Sequence, residues 1–284
     1  MGYSRWSDEA YSSLKITRSA RSRTEIFTSA RAVDPLMDPK NLVVRESRDS
    51  EHHPNSTPVI VAFDVTGSMG DVPERFAKEL LGSLMRLLVE NGYATDPQML
   101  FAAVGDAVSD TAPFQVGQFE SGLEMDMWLT KLWLEGSGGD APESYLLPHW
   151  FVAHHTKTDS WEKRKKKGYL FTIGDAPNKS LDKEQIERVF GYKPEQATDD
   201  ESVVAVASEK WEVFHIFLDR GNSADREIVV WQKLLGDRVL ALDEVSAICD
   251  LIGITIGVVE GNLQLDSVTA KGFPRAIETL ERIL

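Results

Sequence analysis

Five short apolar runs, each parted from the next by segments of helical texture, constrain this chain most. VIVAFDV, which follows Pro58, is continuous and rich in β-branched residues, as a strand buried on both faces of a sheet must be. MLFAAVGD, GYLFTIGD, WEVFHIFLD and RVLALD read the same way. After the first run, Pro73 lies near a helix start, and Phe76, Leu80, Leu81, Leu84, Leu87 and Leu88 recur at helical spacing until Asn91-Gly92 stops them. LEMDMWLTKLWL, ESYLLPHWFVAHH, KSLDKEQIERVF, ADREIVVWQKLLG and VSAICDLIGITIGVV supply further helices. Strands alternating with helices predict a doubly wound α/β domain, a mostly parallel sheet flanked by helices, with any ligand site at the carboxyl ends of the strands.

The alternation spans residues 56–259. Residues 1–55 read as an N-terminal extension, because Ile16, Ile26, Phe27, Leu42 and Val43 never settle into a long period; whether its arginines wrap the domain or dock another protein is left open. Residues 260–284 read as a C-terminal tail with a helix at its end. EKRKKK is most simply a solvated connection, with a basic docking patch for an acidic partner or RNA as the rival reading, and EQATDDES reads as a loop. The net charge of -14 argues against general binding to nucleic acid or anionic membranes and in favour of a cation or a basic partner. Cys249 is the single cysteine, which excludes an intrachain disulfide and favours a reducing compartment. With no apolar leader and no stretch of about 18 apolar residues, the expectation is a cytoplasmic protein.

Chemistry concentrates at the strand ends. In FDVTGSMG, Asp64 closes a buried strand, and Thr66 and Ser68 follow at alternating positions in a turn that Gly67 and Gly70 allow to be tight. GSGGDAPES supplies Ser137, Asp140 and Glu143, and FTIGDAPNK supplies Asp175. Any one of these carboxylates is as easily a turn former or helix cap. Three loops that bring hard oxygen donors to one sheet edge instead suit a cation such as Mg2+, which takes oxygen ligands and keeps several waters.

DVTGS resembles the Asp-x-Ser/Thr-x-Ser motif of the metal ion-dependent adhesion site in von Willebrand factor A (VWA) domains, and the resemblance covers about residues 56 to 259. It implies that Thr66 and Ser68 ligate the metal directly, that Asp64 does so directly or through water, and that Asp175 is the aspartate of the third loop. The second loop departs from the pattern: Asp140 follows Gly138 and Gly139 where many VWA domains have Thr, so Ser137 and Asp140 both stand as candidates. GGDAPE and GDAPNK are similar to loops of intracellular VWA proteins. The resemblance implies a non-catalytic, metal-dependent interaction module with Mg2+, or Mn2+ or Ca2+ in its place. A protein partner would supply an acidic side chain to the metal, and a MoxR-type AAA+ ATPase is the family-level candidate for that partner.

The rival from another class is a serine hydrolase, since TGSMG approximates a nucleophile elbow with Ser68 as nucleophile. It has Thr66 in place of the first glycine, and no histidine follows His215, which lies in an apolar strand. An aspartate-based phosphotransferase wants a second Asp where Thr66 stands, and GSGGD lacks the spacing of a dinucleotide fingerprint. His52, His53, His149, His154 and His155 lack cysteine or acidic partners at zinc spacing.

Overall fold

A computed structural model describes residues 4–29, 31–69, 71–136, 142–196, 198–221, 224–269 and 271–283. The five apolar runs form strands β1 (Thr57–Asp64), β2 (Pro97–Val104), β4 (Gly168–Gly174), β5 (Trp211–Leu218) and β6 (Val239–Leu242), and a short edge strand β3 (Phe114–Val116) joins them. Their order is β3-β2-β1-β4-β5-β6, parallel throughout except for β3, which runs antiparallel to β2. Every residue of β1, β2 and β4 is buried, because helices cover both faces. The chain winds outward in opposite directions from β1 and β4, and this reversal opens a crevice at their carboxyl ends.

Alternate residues of β1 feed two cores. Val59, Val61 and Phe63 pack with helix α2 (residues 71–90) and the helix Ile248–Val259, whereas Ile60 and Ala62 face Leu147, Phe151 and Trp231. Within α2 the hydrogen-bonding loosens to π-helical turns at Phe76–Leu80 and Arg86–Glu90.

Three features depart from the sequence expectations. The end of EQATDDES is not loop: Asp199 accepts the Ser202 N–H at 2.8 Å and caps a helix, Asp200–Lys210. LEMDMWLTKLWL is helical only over Glu124–Thr130. EKRKKK is partly helical (Asp159–Arg164), and most of its cations are tied to carboxylates rather than to solvent.

The N-terminal residues wrap the sheet. Helix α1 (Asp8–Ser19) lays Tyr11 against Gly82 of α2, where any Cβ would meet the ring, and the buried Arg18 pairs with Asp126. Ile26, Phe27 and Met37 enter the main core, and Arg45–Ser47 pairs in parallel with Thr156–Thr158. At the other terminus the helix Pro274–Ile283 buries Ala276 and Leu280 beside β6. Among the described residues no helix is long and apolar enough to cross a membrane.

Candidate functional site

Asp64, the last residue of β1, is fully buried and uses both carboxylate oxygens. Its Oδ1 accepts the Thr66 N–H at 2.8 Å and the Thr66 hydroxyl at 2.6 Å, which turns the chain sharply off the strand. Its Oδ2 accepts the Tyr145 hydroxyl at 2.5 Å. That bond crosses directly over β4: a Cβ at Gly174 would lie 1.9 Å from the Tyr145 oxygen, so only glycine leaves room for it.

Asp175 follows β4, the neighbour of β1, and its Oδ1 accepts the Ser68 hydroxyl at 2.9 Å. The second loop reaches the same place. Gly136, at φ +68°, donates its N–H to the Val65 carbonyl at 3.3 Å, and its own carbonyl lies 3.3 Å from where a Cβ on Gly67 would stand. Downstream, the Glu143 N–H donates to the Pro177 carbonyl and Lys179 N–H to the Glu143 carbonyl, which stitches the second loop to the third. The first and third loops therefore bring Asp64, Thr66, Ser68 and Asp175 together as the sequence suggested. Ser137 and Asp140, the second-loop ligand candidates, lie outside the described residues, as does Gly70.

Electrostatics set this edge apart. Burial pushes the Asp64 carboxyl up to about 6; hydrogen bonds from Thr66 and Tyr145 oppose the rise, and the charge of Asp175 adds to it. Glu143 is buried with Oε2 unpartnered, and burial together with Asp64, Asp110 and Asp106 raises its carboxyl to about 9, against the pull of Lys179. Lys179 pairs with Asp106 at 2.8 Å. Arg220, two residues beyond β5, donates to the Ser68 carbonyl and to Asp71 Oδ1 at 2.8 Å, and its Nε stands 3.9 Å from Asp175 Oδ2.

Tyr145 and Arg220 escaped the reading of the sequence. Arg220 sits at a strand end like the other site residues, so the run LDRG after β5 marked the place. Nothing local placed Tyr145 opposite Asp64. The hydrolase reading finds its nucleophile elsewhere engaged, because Ser68 bonds to a carboxylate. His215 is fully buried, hydrogen-bonded to Thr172 at 2.8 Å and stacked on Trp231 at 3.8 Å.

The donor set suits a hard cation. Two carboxylates and two hydroxyls converge, all oxygen, and each hydroxyl gives its proton to a carboxylate and keeps its lone pairs. Among the described residues no three His, Cys, Asp or Glu side chains cluster as a metal site. Asp64 and Asp175 are thus a pair, which a second-loop donor would extend.

Sheet order and the strand-end crevice at the switch point define the class as a doubly wound, mostly parallel α/β domain. No family model and no curated protein matches the chain in sequence. Among solved structures it is similar to the open conformation of the pilus adhesin SpaC from Lactobacillus rhamnosus GG (TM-score 0.46, 7% identity, 75% of this chain and 31% of that one). It is also similar to a von Willebrand factor type A protein from Catenulispora acidiphila (TM-score 0.37, 9% identity, 72% and 42%). A third likeness is to the conserved hypothetical protein BatB from Bacteroides thetaiotaomicron (TM-score 0.41, 11% identity, 72% and 98%).

Proposed function

We propose that this protein is a non-catalytic interaction module that binds a partner protein through a divalent cation, Mg2+ first and Mn2+ or Ca2+ as alternatives. Asp64, Thr66, Ser68 and Asp175 would hold the ion, with Ser137 or Asp140 completing the set from the second loop. One observation carries the reading: the Ser68 hydroxyl meets Asp175 across the switch point, beside a buried Asp64 whose partners among the described residues are neutral hydroxyls and an amide. Such a carboxylate is destabilised in its charged form, and a nearby cation reverses that penalty. When bound, the ion supplies an open coordination position for an acidic side chain of the partner.

The chain's own residues prepare the place. Tyr145 fixes the Asp64 carboxylate from below, and Arg220 ties the Ser68 backbone to Asp71 at the rim. A MoxR-type AAA+ ATPase is the partner class that the motif resemblance suggests, and the cytoplasm is the compartment that the lone, buried Cys249 suits. The test is capture of a partner by immobilised protein in Mg2+, in EDTA and with Asp64→Ala. Capture in Mg2+ alone, lost in the other two, supports the reading. A partner retained through EDTA and through Asp64→Ala contradicts it.

A further inference from the structure

At the opposite edge of the sheet lies a cavity of about 460 Å3, between the end of the helix Leu147–His154, the strand Thr156–Thr158, the helix Asp159–Arg164 and the start of β5. Its size falls in the range of small-molecule sites. Trp161 and Trp211 line it, as do three lysines, Lys157, Lys165 and Lys210.

Those lysines stand out because their neighbours are all spoken for. Lys163 pairs with Asp159 and Asp49, Arg164 with Asp49, Lys166 with Glu260 and Lys167 with Glu212. Lys165 alone in that run turns the other way. Its backbone is left-handed, at φ 56°, and closes the helix by donating to the Trp161 carbonyl, which sets its ammonium 5.3 Å from the centre of the Trp161 ring. Among the described residues, Lys157, Lys165 and Lys210 have no carboxylate partner. Glu162, the one carboxylate among the described residues that line the cavity, is bound to Arg48 at 2.5 Å. Three unneutralised cations in one concavity of a chain with net charge -14 make a local anion trap. His154, also on the wall, feels it: burial, His155 and then the Lys210 charge hold its imidazole below its usual range.

We propose that this cavity is a second binding site, for a phosphate monoester. A monoester carries nearly two negative charges at neutral pH and offers three acceptor oxygens, which matches several mobile ammonium donors better than a single carboxylate does. Trp161 supplies a flat surface for whatever the phosphate is attached to. The site is independent of the metal-centred reading: it lies at the amino end of β5, about 20 Å from Asp175 at the strand rise of a parallel sheet.

Titration calorimetry on the full chain tests this with inorganic phosphate, adenosine 5′-monophosphate and a phosphoserine peptide beside its glutamate counterpart. The expected result is one site for a phosphate-bearing probe at millimolar affinity or better, weakened by salt. The Lys165→Gln/Lys210→Gln double variant, which removes two charges that have no carboxylate partner among the described residues and keeps side chains of similar length, should weaken it by about tenfold. Asp64→Ala should leave it unchanged. Binding of adenosine monophosphate points to a free ligand, and binding of the phosphopeptide alone points to a partner's phosphorylated side chain; either result supports the site. No binding of any phosphate probe, binding unaltered in the double variant, or equal affinity for the glutamate peptide would overturn it.

Discussion

Arg48 touches Glu46, Asp159 and Glu162, Arg164 grips Asp49, and Arg238 and Lys167 share Glu212, all near the amino ends of the strands. At the carboxyl ends Asp64 and Glu143 are buried, and among the described residues Asp64 has no ion-pair partner, Glu143 feels Lys179 without outweighing its burial, and Arg220 reaches Asp175 only at 3.9 Å. The two edges are made of similar residues and do different work. Paired charges at the amino edge lower the Asp49 and Asp159 carboxyls: burial opposes this, and Arg164, Lys163, Arg48 and backbone N–H groups outweigh it. Each exposed pair contributes little alone, but together they fasten the residues before β1 to those before β4. At the carboxyl edge the carboxyls of Asp64 and Glu143 are raised instead, chiefly by burial, and a cation nearby would favour their charged forms.

The largest effect on this contrast should come from Gly174→Ala. The added methyl collides with the fully buried Tyr145 and displaces its hydroxyl from Asp64, for an expected loss of about 2–4 kcal/mol in denaturant unfolding. A loss under about 0.5 kcal/mol would mean that Tyr145 can move away freely and does not fix Asp64.

Acidity should separate the edges next. Glu143 is raised in the fold from 4.5 to about 9, so its contribution is whole below its unfolded value and is lost as pH rises toward about 9. In that window one retained proton costs up to about 1.4 kcal/mol per pH unit, and Glu143→Gln should flatten the alkaline limb while changing little in acid. Asp49 and Asp159 are depressed, so their contribution is present above the unfolded value near 3.8 and disappears as pH falls below it. That acid limb should survive Glu143→Gln. Stability curves in which the variant moves the acid limb instead would invert the assignment.

How far the sequence reached follows the same division. Continuous apolar runs announced β1, β2, β4, β5 and β6, because a strand covered on both faces has no polar alternation to confuse with anything else. The edge strand Phe114–Val116 is only three residues long and gave no pattern. The helix Asp200–Lys210 hid because its valines point several ways: Val203 is buried, whereas Val206 is 40% exposed. The arm was unreadable because its contacts are distant in sequence, as Arg18 with Asp126 shows. At the site, the oxygen donors Asp64, Thr66, Ser68 and Asp175 were legible from their place after strands. Arg220 shared that place after β5 and was passed over, whereas Tyr145 and Gly174 join the site only through tertiary packing, which no local pattern encodes.

The most direct test of a cation at the carboxyl edge is the melting temperature of metal-stripped protein with and without Mg2+ or Mn2+, measured beside Asp64→Ala and Asp175→Ala. A ligand at a hundred times its dissociation constant adds about 2.7 kcal/mol. The expected result is a metal-dependent rise that both substitutions abolish. No rise at millimolar metal, or a rise that persists in both variants, would contradict a cation held by these residues.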